Sequence, residues 1–347
     1  MVILKIGERQ VREDLPSFII AEAGVNHNGK LSTAYKLVES AKECGADAIK
    51  FQTFRAEALV LKDAPQAQYQ KKYAKRKNQF EMLKELELSF SDFEKIKDRC
   101  DKVGISFLST PFDVESANFL GELGVDAFKI GSGDFNNILL LEEVIKFGKP
   151  LILSTGMADE KEVKRVVFYL KSKKFNDFAL LHCVSSYPAP YDEINLKAME
   201  ILKKYCPVVG FSDHTKGIHI PLAAVAMGAK IIEKHFTLDR RLKGPDHKSS
   251  LTPQEYKKMV KEIREVEDAL GKKKKELKQS EKNTKEAARK SIVSLKKIKK
   301  GETIKREMIT AKRPSGGIDP IDLEKLLNKR AKVDIEKDTI IRWKMVE

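Results

Sequence analysis

Short apolar runs alternate with longer segments whose apolar residues fall three and four apart, and the alternation recurs eight times within residues 1–270. The runs are 18–21 (FIIA), 46–51 (ADAIKF), 105–108 (ISFL), 126–130 (DAFKI), 150–153 (PLIL), 178–181 (FALL), 207–211 (PVVGF) and 229–232 (AKII). Between them lie segments such as 31–44, 93–103, 160–170 and 218–227, which carry the period of an amphipathic helix. Several of these segments stop at a glycine (KECGAD, DKVGIS, GELGVD, AMGAK), the residue that ends a helix in the left-handed conformation before a strand begins. Eight strand–helix units at this length are the count and size of a (β/α)8 barrel. A doubly wound open sheet competes, but the first turn, AEAGVNHNG, lacks the glycine fingerprint of a dinucleotide fold. The expected fold is therefore α/β, a barrel followed by a smaller appended domain.

The chain holds 66 Lys+Arg against 51 Asp+Glu, a formal net charge of +15. Residues 1–270 contribute 42 basic and 39 acidic side chains, whereas residues 271–347 contribute 24 and 12. Most of the excess thus lies in the last fifth of the chain, beginning with GKKKKELKQSEKNTKEAARK. That run has almost no large apolar residues and no interleaved aromatics, so it reads as a solvated linker and not as a nucleic-acid surface. The expected boundaries are a catalytic barrel over 1–270, a basic linker over 271–289 and a small domain over 290–347. No stretch approaches the roughly 18 apolar residues that span a bilayer, so no membrane partner is expected. The first residues, MVILKIGERQVRED, do not read as a secretory signal. Four scattered cysteines without a CxxC pair (Cys44, Cys100, Cys183, Cys206) argue against a zinc ribbon or a disulfide framework, and for a reduced, cytoplasmic setting.

The residues at the end of each apolar run point to an enzyme. The strand ends carry Glu22; Lys50 and Gln52; Ser109 and Thr110; Lys129, Ser132 and Asp134; Ser154 and Thr155; His182, Ser185 and Tyr187; Ser212, Asp213 and His214; and Glu233, Lys234 and His235. In a barrel these ends converge on one face, where the loops build the active site. Each alone reads as a cap or turn residue. Eight polar ends in succession have no structural purpose.

His214 and His235 end adjacent strands, so their imidazoles can approach one metal ion, with Asp213, Glu22 and Asp246 as nearby carboxylates. A nitrogen and oxygen donor set without thiolate suits Mn²⁺, Mg²⁺ or Co²⁺ better than zinc. Two buried histidines bonded to backbone would leave the same pattern. Lys50 and Lys129 stand where a strand wants apolar residues, an expensive placement unless each meets an anion or a carboxylate. Glycine turns with hydroxyls beside them, KIGSGD, LSTGM and FSDH, make a phosphate cradle. The loop DRRLKGPDHKSS places Asp246 and His247 either over the substrate or in a plain surface turn before the helix capped at Thr252-Pro253. The residues alone thus indicate a metal-assisted barrel enzyme acting on a phosphorylated anion.

Nearly the whole chain resembles the N-acetylneuraminate (sialic acid) synthase family. The matching motifs are FIIAEAGVNHNG, GADAIKFQTF, FLSTPFD, FKIGSGDFNN, ILSTGM, LLHCVSSYPAPYDEINL, GFSDHT, IIEKHFTLD and GPDH. The C-terminal KKGETIKREMITAKRPSGGI is similar to the family's small, mostly β antifreeze-like (SAF) domain. The resemblance implies condensation of phosphoenolpyruvate with an N-acetylmannosamine-type sugar, giving a nine-carbon 2-keto acid and phosphate. It assigns a divalent metal, typically Mn²⁺, to His214 and His235. It matches Lys50, Lys129, Ser132, Ser154 and Ser212 to phosphoenolpyruvate binding, and Glu22 and Asp246 to acids near the metal. Gln52 and Tyr187 match positions that line the sugar site, and Thr110 and Ser185 are expected beside them in substrate binding.

Two departures bear on the acceptor sugar. Asp134 stands where many bacterial members carry glutamate, a candidate for activating water, and Ser185 stands where some carry asparagine. Legionaminic acid synthase, with a 2,4-diacetamido-trideoxymannose acceptor, and a synthase with a 6-phosphorylated acceptor are the alternatives; pseudaminic acid synthases resemble the chain less well. Fewer than about 60 residues make a small core for the appended domain to stand on alone. In the family this domain caps the active site of a partner protomer, and Arg313 matches an arginine that contacts the sugar's N-acetyl group. The resemblance therefore implies a homodimer.

Overall fold

All eight expected strands pair in parallel and close on themselves in the computed structural model, which describes residues 4–65 and 78–347. A two-stranded antiparallel hairpin, β1 (Leu4–Ile6) and β2 (Arg9–Val11), precedes them. The barrel strands are β3 (Phe18–Gly24), β4 (Ala48–Thr53), β5 (Ser106–Pro111), β6 (Phe128–Ile130), β7 (Leu151–Ser154), β8 (Phe178–His182), β9 (Val209–Asp213) and β10 (Ile231–His235). Most run one to three residues further toward the C-terminus than their apolar runs. A strand continues while its backbone finds partners, and at the mouth of a barrel its last side chains face a polar cavity.

Helices return the chain from each strand end to the next strand start. Phe90–Val103 begins at a Ser89/Asp92 capping box, and Pro253–Leu270 at a Thr252/Glu255 box with proline in its first turn. The four glycine stops all have positive φ: 83° at Gly45, 72° at Gly104, 77° at Gly124 and 93° at Gly228.

Along each strand, alternate residues face the barrel lumen. The lower lumen is filled by Phe18, Ile20, Ala48, Leu108, Ala127, Ile152, Ala179, Leu181 and Ile231, and the opposite faces pack against the helices in a larger core. Leu4, Ile6 and Val11 belong to the lumen cluster, so the hairpin plugs the floor. The sequence pattern does not disclose this plug, because strands of three residues are too short to leave a period. Arg9 and Arg264 both pair with Asp47 beside it, Arg264 at 3.1 Å, and tie the plug and the last barrel helix to the loop before β4.

Chain contacts divide the molecule into two units, Met1–Gly271 and Lys272–Glu347. The second unit contains an antiparallel pair, β11 (Ser291–Ser294) and β12 (Ile309–Lys312), over a core that includes Ile292, Ile298, Ile304, Ile318, Ile335 and Ile341. The segment expected as a linker forms the helix Lys282–Ala288, and the Ser315 amide and hydroxyl donate to the Glu286 carbonyl at 3.0 and 3.1 Å. All four cysteines are free thiols and buried. Among the described residues, no helix is long and apolar enough to cross a membrane.

Candidate active site

Two residues above the apolar lumen, seven of the eight strands turn polar. Continuing the alternation by two places Glu22, Lys50, Thr110, Lys129, Ser154, Cys183, Ser212 and Glu233 in one ring, one per strand, and all are buried. One layer higher come Gln52, His214 and His235. These side chains, Cys183 excepted, line a cavity of about 550 Å³ at the C-terminal ends of the strands, with Ser132, Ser185, Tyr187 and Asp246 from the loops above.

The ring's charges are interlocked. Lys50 Nζ lies 2.5 Å from Glu22 and 3.8 Å from Glu233, and donates to Thr110 Oγ1 at 3.1 Å. Lys129 lies 3.4 Å from Glu233, which also accepts from Ser212 Oγ at 3.1 Å. Burial pushes the Glu22 carboxyl up to about 7 against the pull of Lys50, with the Glu233 charge adding to the rise. For Glu233, burial pushes the same way, but Lys129 and Lys50 outweigh it and hold its carboxyl well below the usual range. Two lysines therefore share one firmly ionised carboxylate and one that titrates near neutrality, which leaves the ring poised to accept an anion. Burial also lifts Asp246, to about 6.

Close approach is built in on the opposite side. Ser132 Oγ, Ser185 Oγ and Cys183 Sγ converge on Gly156, where a Cβ would fall 2.7, 2.3 and 2.8 Å from them, so only glycine fits. The Gly156 amide donates to Ser132 Oγ at 3.1 Å. The Ser154 hydroxyl is buried on the cavity with no hydrogen-bond partner among the described residues, a group that awaits a ligand.

The two histidines stand with ring centroids 5.6 Å apart, and the Tyr187 ring is 4.2 Å from His214 and 5.6 Å from His235. His214 Nδ1 lies 2.7 Å from the Val184 carbonyl. A carbonyl only accepts, so the proton sits on Nδ1 and the Nε2 lone pair is free, the arrangement of a metal-ligating histidine. Burial holds both imidazoles below their usual range and therefore neutral, with each other's charge a further cause at His235. Among the described residues no three His, Cys, Asp or Glu side chains gather closely enough to hold a metal by themselves. Two neutral nitrogens nevertheless fit a divalent ion whose other positions go to substrate or water.

One expected site residue lies elsewhere. Asp134 is not on the cavity wall: it sits in the short turn Ser132–Asp134 and accepts from Asn137 Nδ2 at 2.9 Å, which turns its carboxyl to the start of the next helix. Arg313 is an exposed residue of the C-terminal unit, just after β12. Conversely, Glu233 reads in the sequence only as a polar strand end, although the period of two turns it into the same lumen layer as Lys129, which it meets across the barrel at 3.4 Å. The apolar wall of Val25, Phe54, Met82, Leu83 and Leu86 is also absent from the sequence reading. It belongs to a cluster of its own, built from the loops after β3 and β4 and the helix Gln79–Leu86, which the eight-unit pattern does not contain.

The NeuB family matches residues 37–275, and the SAF domain matches residues 289–347. The chain belongs to the NeuB family. An N,N'-diacetyllegionaminic acid synthase of Campylobacter jejuni is 46% identical over 330 residues, covering 94% of this chain and 99% of that protein. The N-acetylneuraminate-9-phosphate synthase of Homo sapiens is 38% identical, covering 96% and 93%. A crystal structure of the N-acetylneuraminic acid (sialic acid) synthetase from Leptospira borgpetersenii, in complex with citrate, has a TM-score of 0.72 and 40% identity, covering 82% of this chain and 95% of that one. This NeuB member is accordingly an enzyme, a synthase in a family that makes sialic acid-like sugars.

Proposed function

We propose that this protein condenses phosphoenolpyruvate with the open-chain form of an N-acetylmannosamine-type sugar, releasing phosphate. The observation that carries the reading is the ring in which Lys50 and Lys129 flank Glu233 and the Ser154 hydroxyl is without a hydrogen-bond partner among the described residues. The two ammonium groups would hold the carboxylate and phosphate of phosphoenolpyruvate, and Ser132, Ser154 and Ser212 would donate to phosphate oxygens. A divalent cation on His214 and His235, Mn²⁺ first and Mg²⁺ or Co²⁺ as alternatives, would supply Lewis-acid polarisation of the sugar aldehyde and orient it. C3 of phosphoenolpyruvate then forms a bond to C1 of the sugar, and the aldehyde oxygen takes a proton. Glu22, half protonated near pH 7, suits that donation. Water adds at C2 and loses its proton to Asp246, which is mostly ionised at that pH. Collapse of the tetrahedral intermediate breaks the C2–O bond to phosphate, the C2 hydroxyl becomes the keto oxygen, and its proton leaves with the phosphate. Aldehyde protonation thus falls to Glu22 and water activation to Asp246, while Asp134 is off the cavity wall.

The family resemblance supports a cytoplasmic homodimer in which the C-terminal unit caps the partner's barrel and Arg313 grips the acceptor's N-acetyl carbonyl through its donor fork. A second acceptor is favoured by the apolar wall. Val25, Phe54, Met82, Leu83 and Leu86 offer contact to methyl groups, and a 2,4-diacetamido-2,4,6-trideoxymannose carries two more of them than N-acetylmannosamine. Phosphate release, measured with phosphoenolpyruvate, Mn²⁺ and each sugar, including the 6-phosphorylated one, tests both readings. The trideoxy sugar should lead in kcat/KM by on the order of 10-fold, the discrimination one or two methyl contacts can supply. No turnover with any sugar would sink the proposal.

A further inference from the structure

Behind the two histidines lies a buried ion pair that touches neither the cavity nor solvent. β9 and β10 alternate: Ser212, His214, Glu233 and His235 face the cavity, and Asp213 and Lys234 face away, each 1% exposed. Lys234 Nζ pairs with Asp213 Oδ2 and donates to the Thr215 carbonyl at 2.5 Å. Asp213 in turn accepts from the Thr215 amide at 2.9 Å and its hydroxyl at 3.1 Å. One ammonium group thereby joins the residues on both sides of His214 to the residue before His235. The strand pairing of Lys234 with Asp213 is where the β9–β10 register ends, so beyond it no ladder bond fixes His214 against His235.

A pair buried this deeply is a poor source of stability, since a well-packed apolar pair usually serves as well or better. Its geometry has a different consequence. We propose that Lys234 and Asp213 are positioning residues that set the spacing of His214 and His235 for a shared divalent ion. The inference rests on the metal reading of the two histidines. It gives the pair no contact with the groups proposed for phosphoenolpyruvate: Lys50, Lys129 and Ser154 stand on β4, β6 and β7, and Ser212, the neighbour of Asp213 on β9, faces the cavity while Asp213 faces away.

The test is Mn²⁺ binding to the full chain, read as the loss of the free Mn²⁺ electron paramagnetic resonance signal, in wild type, Lys234→Met and the double variant Lys234→Met/Asp213→Leu. Phosphoenolpyruvate binding without metal is measured in parallel by thermal shift. The single variant leaves a buried carboxylate unpaired and serves only if circular dichroism shows it folded; the double variant removes both charges. Mn²⁺ affinity should fall roughly 10–100-fold, the usual effect of losing a group that orients a ligand, while phosphoenolpyruvate affinity stays within about 2-fold. Wild-type Mn²⁺ affinity in the double variant overturns the positioning role and leaves the metal reading intact. Parallel loss of both ligands, or a double variant that does not fold, overturns it in favour of a general structural role. A wild-type protein that takes up no Mn²⁺ overturns the metal reading and this inference together.

Discussion

Replacing Glu233 by glutamine removes one charge from the centre of the ring and nothing from its shape. The carboxylate lies 3.4 Å from Lys129 and 3.8 Å from Lys50. At an effective dielectric of about 20 those separations correspond to gross attractions of roughly 5 and 4 kcal/mol. Two effects reduce the net loss. Glutamine no longer desolvates a charge, and Glu22, freed from its neighbour's repulsion though still buried, ionises more readily and keeps Lys50 paired. Lys129 has no such substitute, for its other hydrogen bond is to the Ile130 carbonyl at 3.4 Å. The expected destabilisation is about 3 kcal/mol, at the lower end for breaking a buried pair. For a barrel of this size that is a fall of roughly 6–12 °C in Tm. The same change leaves the ring one charge more positive, so phosphoenolpyruvate or inorganic phosphate should raise the variant's Tm by more than the wild type's. Scanning fluorimetry with a phosphate titration reads both. A fall under about 2 °C, or equal rescue by phosphate in the two proteins, would refute the idea that Glu233 is the resident counter-ion an incoming anion relieves.

Other expectations are independent of the ring. His27 and His247 are buried and held down to about 4 by desolvation, so each is neutral when folded and charges on unfolding below its ordinary value of 6.5. At these two sites the unfolded state then binds more protons, and the stability they contribute, complete above pH 6.5, should fall as pH drops toward 4, by up to roughly 3 kcal/mol for His27. Glu22 and Asp246, raised to about 7 and 6, work the other way over the same range, so the measurement is the difference between the urea-unfolding pH profiles of wild type and His27→Gln from about pH 4.5 to 7.5, and identical slopes contradict it. Ile6→Ala empties part of the barrel floor, where Ile6 is fully buried, and should lower stability by about 2–4 kcal/mol with kcat unchanged; a changed kcat would mean that the plug reaches the active site. His235→Ala should leave the circular dichroism spectrum unchanged and remove Mn²⁺-dependent phosphate release. Arg313→Ala should mainly raise the sugar KM, and an equal rise for phosphoenolpyruvate would remove its proposed role across the dimer.

Much of the site was legible because a barrel reports it in one dimension. Most strands read as apolar lumen residues succeeded, two positions on, by a polar one, as in Ile20 then Glu22, Ala48 then Lys50, and Ile152 then Ser154. Once the fold is fixed, that switch places the ring. Residues reached through loops were less legible. Asp134 lies beyond the end of its strand, and the turn it sits in takes its carboxyl off the wall. The helix Gln79–Leu86, which brings Met82, Leu83 and Leu86 to the cavity, has an ordinary amphipathic pattern, and nothing in it says which surface it covers.

The sequence by itself determined the barrel, its eight polar strand ends and the uneven distribution of charge, because these depend on period, order and composition. The tertiary structure decided which opposite charges meet. Lys50 sits far from Glu22 along the chain and much further from Glu233, yet shares a layer with both once the first barrel strand pairs with the last. It also decided protonation. Glu22 and Glu233 are the same residue type in the same ring, but Lys129 and Lys50 together press on Glu233, while burial and Glu233 itself weigh on Glu22. Desolvation and Coulomb energy depend on distance in space, and separation along the chain carries no record of that distance.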